Sequence, residues 1–239
     1  MLALPLLAAG PVEIEPTPGT DPEVLRIVNG LISSDYPTVG VILEGTQDNN
    51  YMFCTGTLIG CNTFLTAAHC LCANLAYCDD HDVSTGFVYF PNGGVYGISA
   101  VHIHPDFVFP VADVAVVTLS EPVTGITPSK INDVGPVPYD TRGTVVGYGL
   151  SERGVNGVKR SGKVTTEGCT FPISNDDSVC WRYMAPLGEP GEDSSICFGD
   201  SGGPLFVDMA PAGSGQSNVV VAGSPRAATT AARPFPRRR

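Results

Sequence analysis

Between residues 38 and 119 the chain repeats one pattern: a short run of β-branched and aromatic residues, partly alternating with polar ones, then a turn. The runs fall at 38–43, 53–59, 64–67, 87–90, 98–104 and 114–119, with Gly, Asn, Asp or Pro between them. Alternation over so few positions predicts half-buried strands. A linker follows at 120–128, and strand signals return at 143–148, 159–165 and 218–222. No internal repeat or heptad interrupts this. Many short strands at close spacing predict an all-β chain, a barrel or sandwich of antiparallel strands.

Composition agrees with that class and narrows the setting. The 239 residues suffice for one large domain or two small ones with a substantial core, and 28 Gly and 21 Pro favour turns over long helices. The net charge of −11 is uneven: the last 14 residues hold five of the 13 basic residues and none of the 24 acids, so the rest carries 8 − 24 = −16. An acidic body argues against nucleic acid as a partner. Eight cysteines point to an oxidising compartment. Residues 1–10 are apolar, Leu/Ala-rich and end in small residues, as the remnant of a signal peptide would. No other run approaches the roughly 20 apolar residues that span a bilayer. Residues 11–25 are rich in Pro and Glu and would not pack a core.

The candidate chemistry lies in three separated stretches. Cys197-Phe198-Gly199-Asp200-Ser201-Gly202-Gly203-Pro204-Leu205 reads as a loop that presents a serine hydroxyl. Taken alone, a G-x-S-x-G string is a surface turn. Thr66-Ala67-Ala68-His69-Cys70 adds a histidine, and Val111-Ala112-Asp113-Val114-Ala115 an aspartate opening an apolar run. Nucleophile, base and orienting carboxylate are what acyl transfer through serine requires. Their order selects the fold. In α/β-hydrolases the acid and histidine follow the serine, whereas here all four histidines (69, 81, 102 and 104) precede Ser201. The order His69, Asp113, Ser201 matches the trypsin/chymotrypsin family, which this sequence resembles over about residues 26–208.

That resemblance implies two six-stranded antiparallel β-barrels, His69 and Asp113 on the first (about 27–122) and Ser201 on the second (about 123–225). It makes Ser201 the nucleophile, His69 the general base, Asp113 its orienting partner, and the backbone N–H groups of Gly199 and Ser201 the oxyanion hole. Arg26-Ile27-Val28-Asn29-Gly30 resembles the family's activation site, with 11–26 as propeptide: cleavage after Arg26 would free an Ile27 ammonium to meet the buried Asp200 carboxylate. Cys54–Cys70 and Cys169–Cys180 match family disulfides. Cys61, Cys72 and Cys78 are extra, expected to give one disulfide near the loop after His69, and the family partner of Cys197 lies further downstream than this sequence supplies. The pocket floor falls on Ser195, an uncharged pocket, unless the extra residues of Asp193-Ser194-Ser195-Ile196-Cys197 bulge out and Asp193 floors it instead; the uncharged reading is favoured.

Other polar clusters point elsewhere. Asp79, Asp80, His81 and Asp82 could bind calcium through the carboxylate oxygens but read better as a solvated loop. His102 and His104 share a strand face with no third ligand, so metal is rejected. The mechanism needs no cofactor. Beyond residue 208 the resemblance lapses: 226–239 is a basic, proline-broken tail, expected to be disordered and to leave the second barrel incomplete with Cys197 as a thiol. Two functions follow. One is a secreted, monomeric serine endopeptidase acting on protein or peptide, activated by a trypsin-like protease, with no membrane or nucleic-acid partner. The other is a catalytically impaired homologue acting as a binding protein.

Overall fold

The computed structural model describes residues 27–46, 49–72, 86–149, 157–170, 174, 178–181 and 189–223. The expectations for 1–26, for 79–82 and for the tail from 224 lie outside them, as does Cys78.

Twelve strands make up the described fold: β1 Leu31–Ile32, β2 Val39–Thr46, β3 Asn49–Gly60, β4 Thr63–Thr66, β5 Gly86–Phe90, β6 Gly94–Ile103, β7 Ala115–Leu119, β8 Arg142–Gly147, β9 Arg160–Glu167, β10 Cys180–Trp181, β11 Leu205–Asp208 and β12 Val219–Gly223. A single 3-10 turn, Ala68–Cys70, accompanies them. The nearly all-β class is therefore as the alternation indicates, and each of the six runs before residue 120 becomes a strand. Those six close into a barrel in the order β2-β3-β4-β7-β6-β5. The first strand and those from β8 onward form a second, six-stranded sheet in the order β1-β9-β8-β11-β12, with β10 also paired to β9. One closed six-stranded barrel and a second six-stranded sheet are consistent with the double barrel that the resemblance implies.

Each half has its own core. Leu58, Phe64, Val88, Phe90, Val117 and Leu119 fill the barrel, where Phe64 meets Phe90 edge to face at 5.6 Å between ring centroids. Ile27, Val145, Val164, Leu205, Val207 and Val220 pack under the second sheet. A third cluster joins the halves: Val39 and Val41 of β2 pack with Val146, Tyr148, Phe206 and Val221. Burying one such aliphatic side chain contributes roughly 1.5–3 kcal/mol. Polar bonds cross the same seam. Tyr148 donates its hydroxyl to the Val39 carbonyl at 3.1 Å, and burial raises the pKa of that phenol, which stays protonated.

The cysteines fall as the resemblance implies at four positions: Cys54 bonds Cys70, and Cys169 bonds Cys180. Cys72 is also disulfide-bonded. Cys61 is an exposed thiol, and Cys197 stands as a half-buried one.

Candidate active site

Strand register brings His69 and Asp113 together. In the antiparallel β4–β7 pair Thr66 lies opposite Ala115. The chain leaving β4 reaches His69 three residues later, and the chain entering β7 passes Asp113 two residues earlier, at the same end of the barrel. The Cys54–Cys70 disulfide ties the histidine turn back to β3. Asp113 then holds His69 at two points. Its Oδ1 accepts the His69 backbone N–H at 2.8 Å, and its Oδ2 lies 2.7 Å from Nδ1. An acid-only acceptor at Nδ1 places the ring proton there and leaves the Nε2 lone pair open. The aspartate side chain is 6% exposed and the histidine 20%, so this pair is little screened by water. Phe109 packs edge-on against the imidazole, ring centroids 5.7 Å apart.

The serine arrives on a loop between Cys197 and β11. Asp200 N–H donates to Cys197 O at 3.0 Å and Gly203 N–H to Asp200 O at 2.9 Å, two tight turns back to back. Gly199 and Gly202 supply positive φ angles of 91° and 83°. At Gly202 contact matters as much as angle: a Cβ there would stand 2.1 Å from Thr66 Oγ1 and 2.3 Å from Thr55 O. The loop is thus pressed onto the first barrel, and Thr55 N–H donates to the Ser201 carbonyl at 2.9 Å. Cys70 Sγ lies 3.8 Å from His69 Nε2 and 3.7 Å from Ser201 O, so one disulfide sulfur adjoins both residues. Among the described residues no hydrogen bond joins Ser201 Oγ to His69 Nε2; such bonds are often long without substrate.

Asp200, beside Ser201, is 1% exposed. Its Oδ1 accepts from Gly149 N–H at 2.7 Å and its Oδ2 from Cys197 N–H at 2.8 Å. Burial pushes its carboxyl up to about 6, against the pull of those two N–H groups and of the Arg160 charge. Ile27 is 1% exposed in the second core. Val28 pairs with Ser195, whose N–H donates to Val28 O at 3.1 Å. The Asn29 side-chain amide donates to the carbonyls of Glu189 and Glu192. The segment after Arg26 therefore lies against the loop that leads to the serine, with no hydrogen bond from Ile27 to Asp200 among the described residues. Asp193 is exposed at φ 46°, and Ser195 is half-buried.

Metal ligation finds little support. Cys54, His69 and Cys70 place three donor atoms within 4.8 Å of one another, but both sulfurs share a disulfide and neither is a thiolate. His102 Nε2 lies 3.4 Å from Thr118 Oγ1, while His104 Nδ1 accepts from Asp106 N–H at 3.2 Å. The residues that sequence reasoning missed are Thr55 and Thr66. Thr66 Oγ1 donates to Thr55 O at 2.8 Å, and Thr55 reaches the serine loop. A buried threonine in a strand carries no signal by which it could be singled out.

Comparison with known proteins points to a family. The Trypsin family model matches residues 33–229. A trypsin of Saccharopolyspora erythraea is 33% identical over 187 residues, covering 73% of this chain and 78% of that protein. The vitellin-degrading protease of Bombyx mori is 29% identical over 196 residues (76% and 71%), and a trypsin of Phaedon cochleariae 27% identical over 216 residues (84% and 80%). Strand order, the site's geometry and these matches lead to one assignment: the chain belongs to the trypsin family of serine proteases.

Proposed function

We propose that the protein is a secreted serine endopeptidase using Ser201, His69 and Asp113. The observation that carries this reading is the two-point hold of Asp113 on His69 next to the serine loop. Ser201 Oγ attacks the peptide carbonyl carbon while its proton passes to His69 Nε2. Asp113 stabilises the imidazolium so formed. The Gly199 and Ser201 N–H groups donate to the oxyanion. The imidazolium then gives its proton to the amine as the C–N bond breaks, and a water deprotonated by His69 hydrolyses the acyl-enzyme. No cofactor enters.

Activation follows cleavage between Arg26 and Ile27 by a trypsin-like protease. Burial of Ile27 and the Val28–Ser195 bridge support this, because the segment after Arg26 already lies beside the loop that leads to the serine. The free ammonium then neutralises Asp200, a carboxylate whose burial is otherwise costly. The primary pocket is uncharged, floored by Ser195; the exposure of Asp193 favours that over a pocket for Lys or Arg. The disulfides fit secretion, and among the described residues no helix is long and apolar enough to cross a membrane. Ser201→Ala tests the reading: hydrolysis of a peptide and of p-nitrophenyl acetate should fall by about 10³-fold or more. Undiminished hydrolysis would remove Ser201 from the mechanism.

A further inference from the structure

Thr55 lies on β3 of the first barrel with none of its surface exposed. Every polar atom it has is engaged, and on more than its own barrel. Its N–H donates to Ser201 O at 2.9 Å. Its hydroxyl donates to Gly199 O at 2.7 Å and accepts the Tyr148 N–H at 3.1 Å. Its carbonyl accepts from Thr66 Oγ1 at 2.8 Å. We infer that Thr55 is a positioning residue for the serine loop, gripping it at the two carbonyls that bracket Asp200 and Ser201. This rests on the proposed role of Ser201.

The geometry says what the grip does. The Gly199 carbonyl belongs to the peptide between Gly199 and Asp200. That peptide is the middle link of three. The peptide before it carries the Gly199 N–H and the one after it the Ser201 N–H, the two proposed oxyanion donors. Gly199, at φ 91°, has no side chain to resist rotation of this link. Asp200 N–H holds one edge through Cys197 O at 3.0 Å, and the Thr55 hydroxyl holds the other. The same hydroxyl takes the Tyr148 N–H, one residue before the Gly149 N–H that binds Asp200. One hydroxyl therefore couples the segment facing the Asp200 carboxylate to the peptide that aims both donors.

A hydroxyl has one proton and two lone pairs, so donating to Gly199 and accepting from Tyr148 uses its capacity well. Valine has the shape of threonine and neither capability, and it would leave a part-buried carbonyl and a buried N–H unpartnered. Serine keeps both bonds. The experiment compares Thr55→Val and Thr55→Ser with the activated wild type on p-nitrophenyl acetate, together with inhibition by a phenylboronic acid that forms a tetrahedral adduct on serine. T55V should lower kcat about 10–100-fold, with KM within about threefold, and weaken the boronic acid in parallel. T55S should stay within about threefold of wild type, a rescue that general packing would not predict. Equal kcat in T55V and T55S overturns the inference, as does a T55V defect confined to KM. Should T55V fail to fold, T55A loses the same two bonds with less bulk, and its Tyr148 amide should exchange with deuterium at least about tenfold faster than in T55S. Equal exchange also overturns it. Ser201→Ala in the same assay separates the two ideas. Undiminished S201A turnover sinks the proposed function, whereas a crippled S201A beside an unimpaired T55V sinks the role of Thr55 alone.

Discussion

Asp113 holds His69 by two atoms at once, Oδ1 on the backbone N–H at 2.8 Å and Oδ2 on Nδ1 at 2.7 Å. The first bond fixes where the residue sits, and the second fixes which ring nitrogen bears the proton. Asp113→Asn separates the two. The Asn carbonyl can still accept the backbone N–H, but its amide then faces Nδ1 and demands a lone pair there. The proton moves to Nε2, and the base is lost. At neutral pH kcat should fall roughly 10³–10⁴-fold with little change in thermal stability, read by ester turnover and a melting curve. A loss under tenfold would mean that the tautomer is not set by Asp113.

The Cys54–Cys70 disulfide closes a loop of sequence separation 16 that contains Thr55, Thr66 and His69. In the chain-entropy model its loss costs about 3 kcal/mol. Cys54→Ala with Cys70→Ala should lower the unfolding free energy in urea by about that amount. Ester turnover should fall too, since both Thr55 and His69 adjoin the bridge. Unchanged turnover in a folded double variant would show that the histidine turn keeps its place without it.

Glycines 202 and 213 form a controlled pair. Both have positive φ, 83° and 77°, but a Cβ at Gly213 meets nothing within 4 Å while one at Gly202 strikes Thr66 Oγ1 and Thr55 O. Gly213→Ala should cost only about 1 kcal/mol, the backbone share. Gly202→Ala must also push the serine loop off the barrel. It should cost at least about 2 kcal/mol more, and cut turnover beyond about 100-fold. Similar melting points for the two variants would contradict the close seating of the loop.

Asp200 gives the intact chain a characteristic pH dependence. Its folded-state carboxyl titrates at about 6, raised from 3.8 chiefly by burial. A raised value means that the protonated form favours the fold. The stability it contributes is fully present below about pH 4 and fades as pH rises through about 6, on the order of 3 kcal/mol in all. Asp200→Asn cannot titrate. In the uncleaved protein, wild-type stability relative to D200N should therefore decline between pH 4 and pH 7, measured by urea denaturation at each pH. A flat difference would show that Asp200 is already neutralised before cleavage.

Two of the strands that sequence reading found have sides that differ. Across β4 burial alternates from Thr63 to Thr66, and across β9 from Arg160 to Glu167, so period two survives in the sequence. β11 was illegible: Leu205–Val207 is buried on both faces and follows directly on the glycine-rich loop, with no turn to announce a strand. β1 was missed for the opposite reason. Leu31 and Ile32 are exposed, and pairing with Arg160 and Ser161 alone makes them a strand. The candidate triad could be picked out because its residue types are rare and their order is diagnostic. Thr55 could not: its partners Tyr148 and Gly199 lie 93 and 144 positions away, and nothing in C-T-G-T-L marks one threonine above the other.

The central claim is that Ser201 is a nucleophile activated by His69. A fluorophosphonate phosphorylates such a serine irreversibly, and peptide mass mapping locates the adduct. After cleavage at Arg26, one adduct should form per chain, on Ser201. Its rate should drop at least about 10³-fold in His69→Ala and in the uncleaved Arg26→Gln protein should be far slower than in the cleaved wild type. An adduct on another serine, or labelling of Ser201 at the same rate without His69, would contradict the account.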